Sequence, residues 1–143
     1  MAERSQKKLG RLLRVRTLQL GQVQADETRA HARVAQEAAL SARIAQLSAD
    51  VAPAPTPAPG HAISMIAAAH YRERLQHSAA QVEARLASAE QGLEEARAAT
   101  REARRDQSAI EKLIERARAE AARKAMRALE ELPPSAKKRH GPC

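Results

Sequence analysis

The stretch Val51-Ala52-Pro53-Ala54-Pro55-Thr56-Pro57-Ala58-Pro59-Gly60 decides the fold of this 143-residue chain. Each proline removes an amide donor and pushes the residue before it out of helical geometry, so no helix crosses the segment. On both sides the sequence is dense in helix formers: Ala, Glu, Leu, Lys and Arg make up 86 of the 143 residues. That share exceeds the roughly 50% that marks long helices and coiled coils. A second stop, Pro133-Pro134, ends the helical pattern after Leu132. The sequence therefore predicts a helix over residues 5–51, a Pro/Ala-rich tip over 52–60, a second helix over 62–132 and a basic tail over 133–143, all in one domain.

Apolar spacing on each side of the break is that of a heptad seam. In the first segment Leu9, Leu13, Arg16, Leu20, Val23, Glu27, Ala30 and Val34 follow alternating steps of four and three. The pattern resumes at Leu40, Ile44, Leu47 and Val51 after one phase slip. In the second segment Ala79, Val82, Leu86, Ala89, Leu93, Ala96, Thr100, Ala103, Gln107, Ile110, Ile114, Ala117 and Ala121 keep the repeat throughout. A seam this regular needs a partner helix, and the short break returns the chain antiparallel alongside itself. The expected fold is all-α, a two-helix antiparallel coiled-coil hairpin.

At about 1.5 Å per residue the first helix spans roughly 70 Å and the second roughly 105 Å, so the second overhangs. If Val51 lies opposite Ala62, Ser5 falls near Ser108, and Ile110, Leu113, Ile114, Met126, Leu129 and Leu132 are left with little to cover them. An uncovered apolar stripe marks a protein contact. The same register brings Arg4, Lys7, Lys8, Arg11, Arg14 and Arg16 toward Arg97, Arg101, Arg104 and Arg105, concentrating the chain's +8 charge away from the tip. Cationic charge of that density suits an acidic partner.

Composition excludes several classes of function. With no Phe or Trp, one Tyr, and 34 Ala against 23 Leu, Val and Ile, the chain cannot build a bulky globular core. No apolar run approaches the 18 or so residues of a membrane span. Apolar spacing in the first 24 residues continues unbroken through Glu27, Ala30 and Val34, as in one long helix rather than a transit peptide. The single cysteine, Cys143, forms no internal disulfide and lacks a prenylation context, and the chain reads as cytoplasmic. No catalytic constellation, cofactor loop or metal set is expected: His70 and His77 stand seven apart, about 10.5 Å along a helix, beyond the reach of one metal ion. Nucleic acid is not an expected partner, since Leu9, Gly10, Leu12, Leu13, Val15 and Leu18 interrupt the basic residues and the chain contains no Asn to meet base edges.

Three segments together carry a family resemblance: Leu12-Leu13-x-Val15-Arg16, Tyr71-Arg72-Glu73-Arg74-Leu75 after the break, and the run Arg105-Asp106-Gln107-Ser108-Ala109-Ile110-Glu111-Lys112-Leu113-Ile114-Glu115-Arg116. In these the sequence resembles the FliJ/YscO-type stalk family of flagellar and virulence type III secretion, over nearly its whole length. The resemblance implies a non-enzymatic helical hairpin like the central stalk of a rotary ATPase, cytoplasmic and peripheral to the inner membrane at the export apparatus. It implies that the joined helix ends enter a hexameric export ATPase, here through Arg11, Arg14, Arg16, Arg104, Arg105, Ile110, Leu113 and Ile114. The opposite end of such stalks meets the membrane export gate and export chaperones, by position Leu40, Ile44, Leu47, Ile66, His70 and Tyr71. A generic coiled-coil scaffold or homodimer pairing through residues 110–132 is the alternative, and a surface helix that folds on anionic lipid is a third reading.

The seam is thin. Arg16, Glu27, Glu37, Thr100 and Gln107 occupy core phase, and Ala in place of Leu forfeits about 2 to 5 kcal/mol at a well-packed site. The isolated protein is expected to melt low and broadly by circular dichroism. A sharp transition above about 70 °C, beyond the ordinary mesophile range, would contradict this.

Overall fold

The computed structural model describes residues 2–51 and 62–132. Helix α1 runs Ala2–Asp50 (49 residues) and helix α2 runs Ala62–Glu130 (69 residues), with no strand among the described residues. These bounds lie within three residues of the sequence-based expectation. At the end of α1 the Val51 amide donates to the Leu47 carbonyl at 3.2 Å. At the end of α2 the Glu131 amide donates to Arg127, and the Leu132 amide donates to Leu129, three residues back. That tightening of the last turn satisfies carbonyls that Pro133 cannot reach. The expected tip over 52–60, the tail over 133–143 and Cys143 lie outside the described residues.

The chain divides into two compact units, Met1–Leu18 with Arg105–Cys143, and Gln19–Arg104. In each, α1 and α2 pack antiparallel. Within Gln19–Arg104, Arg72 Nη1 donates to the Val51 carbonyl at 3.4 Å, Arg85 Nη2 stands 3.2 Å from Glu37 Oε2, and Thr100 Oγ1 reaches the Val23 carbonyl at 3.4 Å. Residue numbers fall along α1 as they rise along α2. Its core is Ile44, Leu75 and Val82, flanked by Leu47 and Ala79. Within the other unit, Gln107 Nε2 donates to Thr17 Oγ1 at 3.5 Å and Arg16 Nη1 lies 3.0 Å from Asp106 Oδ2.

These pairings correct two expectations. Val51 meets Arg72 rather than Ala62, a register ten residues along α2 from the one expected. The cause is the placement of the few large side chains: at this register Ile44 packs with Leu75 and Val82. The expected phase slip is also absent. Glu37, Ser41 and Ile44 continue the α1 heptad, and Leu40 turns outward. On α2 the seam begins earlier than expected, with Ala68, Arg72 and Leu75 already covered.

Alanine sets how firmly the helices hold. Only Ile44, Leu75, Val82, Leu93 and Ile110 are buried apolar residues, and no side chain among the described residues is wholly shielded. Thr100 is the best-covered polar residue at 2% exposure, its hydroxyl within 3.1 Å of the Ala96 carbonyl as well as near Val23. Gly92, inside α2, has nothing within 4 Å of where a Cβ would stand. Truncating Ile44→Ala should therefore destabilise the fold by about 2 to 5 kcal/mol. Gly92→Ala should stabilise it by about 1 kcal/mol. Urea unfolding followed at the helical band measures both, and a neutral Ile44→Ala would contradict this account of the core.

Candidate partner-binding surface

Charge is segregated between the units. Met1–Leu18 with Arg105–Cys143 holds 16 Lys and Arg against 7 Asp and Glu, a net +9, whereas Gln19–Arg104 holds 9 against 10, a net −1. The whole cationic excess of the chain thus belongs to the unit that contains both chain ends. Between Glu3 and Asp26 there is no carboxylate at all on α1. Arg11 and Arg14 line one open concavity with Gln6, Lys7 and Gly10. Like charges this close repel one another and raise the local potential, the condition under which an anionic partner binds.

Beside that concavity lies a groove of about 530 Å³, formed by Gln6, Gly10 and Leu13 of α1 and Glu111, Ile114, Glu115 and Arg118 of α2. Leu13 and Ile114 supply its apolar floor, and a Cβ on Gly10 would meet nothing within 4 Å. Leu12, Val15, Leu18 and Leu113 are exposed in the same unit, as are Met126 and Leu129 farther along α2 and Leu132 just past its end. The last two are 62% exposed.

Of the residues expected at an ATPase contact, the structure gathers some and withdraws others. Arg11 and Arg14 share a concavity, Ile114 floors the groove and Leu113 is exposed. Arg105 is exposed in the same unit, whereas Arg104 falls in the other unit. Arg16 is engaged with Asp106. Ile110 is only 7% exposed, because the shifted register lays α1 over it, so it belongs to the seam and not to an uncovered stripe. Arg97 and Arg101 likewise do not join the basic ends. They lie in the near-neutral unit, where Arg97 Nη2 is 3.3 Å from His31 Nε2 and Arg101 Nη2 donates to Glu94 Oε1 at 2.9 Å.

Among the residues expected at a gate or chaperone contact, Ile44 is 8% exposed and Leu47 packs against its cluster, so both are seam. Leu40 is exposed by the uninterrupted heptad. Ile66 and Tyr71 are exposed, and His70 stands 3.8 Å from Glu73 on the same exposed turn. Met65 is exposed there too and escaped notice in the sequence. Gln6 and Arg118 in the groove were not expected at a site, and Gly10 was expected only as a break in the basic run. The only available signal was an isolated glycine inside a helical pattern, next to two seam leucines.

The Gln19–Arg104 unit is polar where it is open. A groove of about 480 Å³ beside Gly92 is lined by Arg29, Arg33, Arg85, Asp26 and Glu37 among others. Arg85 is 3.2 Å from Glu37 Oε2 without hydrogen-bond geometry, leaving that covered oxygen without a hydrogen bond. Arg29 and Asp26 pair along α1. Among the described residues no group of three His, Cys, Asp or Glu could hold a metal ion, and no helix is long and apolar enough to cross a membrane. No family model, curated protein or solved structure matches the chain.

One titration is legible. The Arg101 guanidinium, hydrogen-bonded to Glu94 and aided by its charge and that of Arg97, holds the Glu94 carboxyl below the ordinary carboxylate value. A carboxyl whose folded pKa is depressed contributes stability at pH above its unfolded value and loses that contribution as pH falls through the folded one. Helicity of the wild type should therefore decline on acidification below the usual carboxylate range more steeply than that of Glu94→Gln. Superimposable acid titrations by circular dichroism would contradict the pairing of Glu94 with Arg101.

Proposed function

We propose that this protein is a non-enzymatic stalk of the FliJ/YscO type, serving flagellar or virulence type III export. The basic unit carrying both chain ends binds a hexameric export ATPase, and the Ile66–Tyr71 turns with Leu40 meet the membrane export gate and export chaperones. The single observation that carries the reading is the segregation of charge, +9 in the unit holding both ends and −1 in the remainder. It supports an acidic, concave partner at that end, which is the geometry a ring lumen offers to a helical pair. The alanine-rich seam is consistent with it, because small seam residues let two helices approach closely and keep the pair slender. The protein does no chemistry in this reading. It acts by occupying the ring, favouring assembly and turnover, and by linking the ring to the membrane through peripheral association.

Within the ATPase contact the revised residue set is Arg11, Arg14, Arg105, Leu113 and Ile114, while Arg16 and Ile110 support them from the seam. Steering by these bases makes association sensitive to ionic strength. Added to the hexameric export ATPase of the same cell, the protein should raise hydrolysis and the fraction of assembled rings, and the gain should shrink as salt rises. Arg11→Glu/Arg14→Glu should abolish the effect while leaving the helical spectrum unchanged. If the wild type changes neither hydrolysis nor assembly, or the variant acts like the wild type, the stalk reading fails.

A further inference from the structure

We infer that the groove beside Gly10 receives one bulky apolar side chain projecting from an acidic helical segment of a protein partner. This rests on the stalk reading for the partner's identity and deepens it, naming the chemistry that the basic end selects. The open groove holds about 530 Å³ between Gln6, Gly10 and Leu13 on α1 and Glu111, Ile114, Glu115 and Arg118 on α2. That volume lies within the range of pockets that accept small apolar groups. Its aliphatic lining is Leu13 and Ile114, and Gly10, one turn before Leu13 on α1, adds no side chain to it.

Gly10 is the decisive residue. Inside a helix it sacrifices stability relative to alanine, and nothing occupies the space a Cβ would take. The same space stands open at Gly21 and Gly92, but of these three only Gly10 lines a groove that also holds a leucine and an isoleucine. The chain leaves the space open at the end where it also carries its entire cationic excess. An occupant must therefore present an apolar knob and a negative surround: the knob covers Leu13 and Ile114, and the surround meets Lys7, Arg11 and Arg14 of the adjoining concavity and Arg118 of the groove, four bases that outnumber the two carboxylates of the lining, Glu111 and Glu115. Gly92 beside the second groove has no such setting, since that groove is lined by Arg29, Arg33, Arg85, Asp26 and Glu37 with no leucine or isoleucine, and its unit is near neutral.

The test uses full-length protein and a glutamate-rich helical peptide carrying one central phenylalanine, compared with the same peptide carrying alanine. The wild type should bind the phenylalanine peptide about tenfold or more tightly than the alanine peptide, the ratio expected for burying one large apolar side chain. Gly10→Leu, which fills the groove from within, should erase that preference while raising the melting temperature, and Gly10→Ala should reduce it. Gly92→Ala should stabilise the protein and leave the preference intact. Equal binding of the two peptides by the wild type, or an unchanged preference in Gly10→Leu, overturns the inference. A self-associated wild type that Gly10→Leu converts to monomer overturns it in favour of a second copy. Binding of anionic vesicles by wild type and Gly10→Leu alike, without peptide discrimination, overturns it in favour of a lipid surface. A parallel arm with the hexameric ATPase separates the two readings. Peptide discrimination without ATPase binding sinks the stalk and keeps the groove, and ATPase binding without peptide discrimination does the reverse.

Discussion

Register is the constraint on which this structure depends, and very few side chains set it. An alanine seam slides at little cost, because each alanine loses or gains only a methyl's worth of neighbours in a new register. The information that resists sliding is concentrated in the large aliphatics. In the Gln19–Arg104 unit Ile44 lies with Leu75 and Val82, and a shift of one heptad would keep the stripe facing inward while removing Ile44 from that cluster. The pairing of Val51 with Arg72, and of Glu37 with Arg85, is set by where Ile44 sits.

Polar residues at seam positions reinforce this choice more than they stabilise it. Arg16 finds Asp106, Gln107 finds Thr17, and the Thr100 hydroxyl reaches a carbonyl of the facing helix. The first two pairs are exposed or half-exposed and contribute little net free energy, and the buried Thr100 hydroxyl also reaches the Ala96 carbonyl of its own helix. Their effect is on the alternatives, since a slipped register separates Arg16 from Asp106 and Gln107 from Thr17. Glu37 is the imperfect member. Its covered oxygen has an arginine nearby but no hydrogen bond, so it opposes wrong registers while weakening the right one.

Helices, breaks and heptads were legible in the sequence because each is a local property: proline stops a helix wherever it stands, and a stripe at 3.5-residue spacing needs no knowledge of its partner. Register was not legible, because it depends on which distant large residues meet, and assuming the shortest return placed Val51 ten residues from its true neighbour. The same error left Ile110 uncovered and gathered Arg97 and Arg101 with the basic ends. Leu40 was misread for another reason. Its hydrophobicity outweighed that of Ser41, yet an unbroken heptad puts Ser41 inward, and helix geometry prevails over the transfer energy of one leucine. At the surface, Arg11, Arg14, Leu113 and Ile114 were legible as charge and apolar spacing, whereas the groove was not, since a hole is defined by what Gly10 lacks.

Segregated charge gives the two units different dependence on their surroundings. In the Gln19–Arg104 unit bases and acids nearly cancel, and Arg85, Arg97 and Arg101 each stand beside a carboxylate or imidazole of the same unit. Its stability is therefore largely internal. The other unit carries +9, and mutual repulsion among its bases works against the compact state at low ionic strength. It also holds the open groove and the exposed end of α2, so fewer apolar neighbours offset that repulsion. An anionic partner that neutralises the bases and fills the groove removes both deficits together, and by linkage its binding energy becomes folding energy for that unit alone.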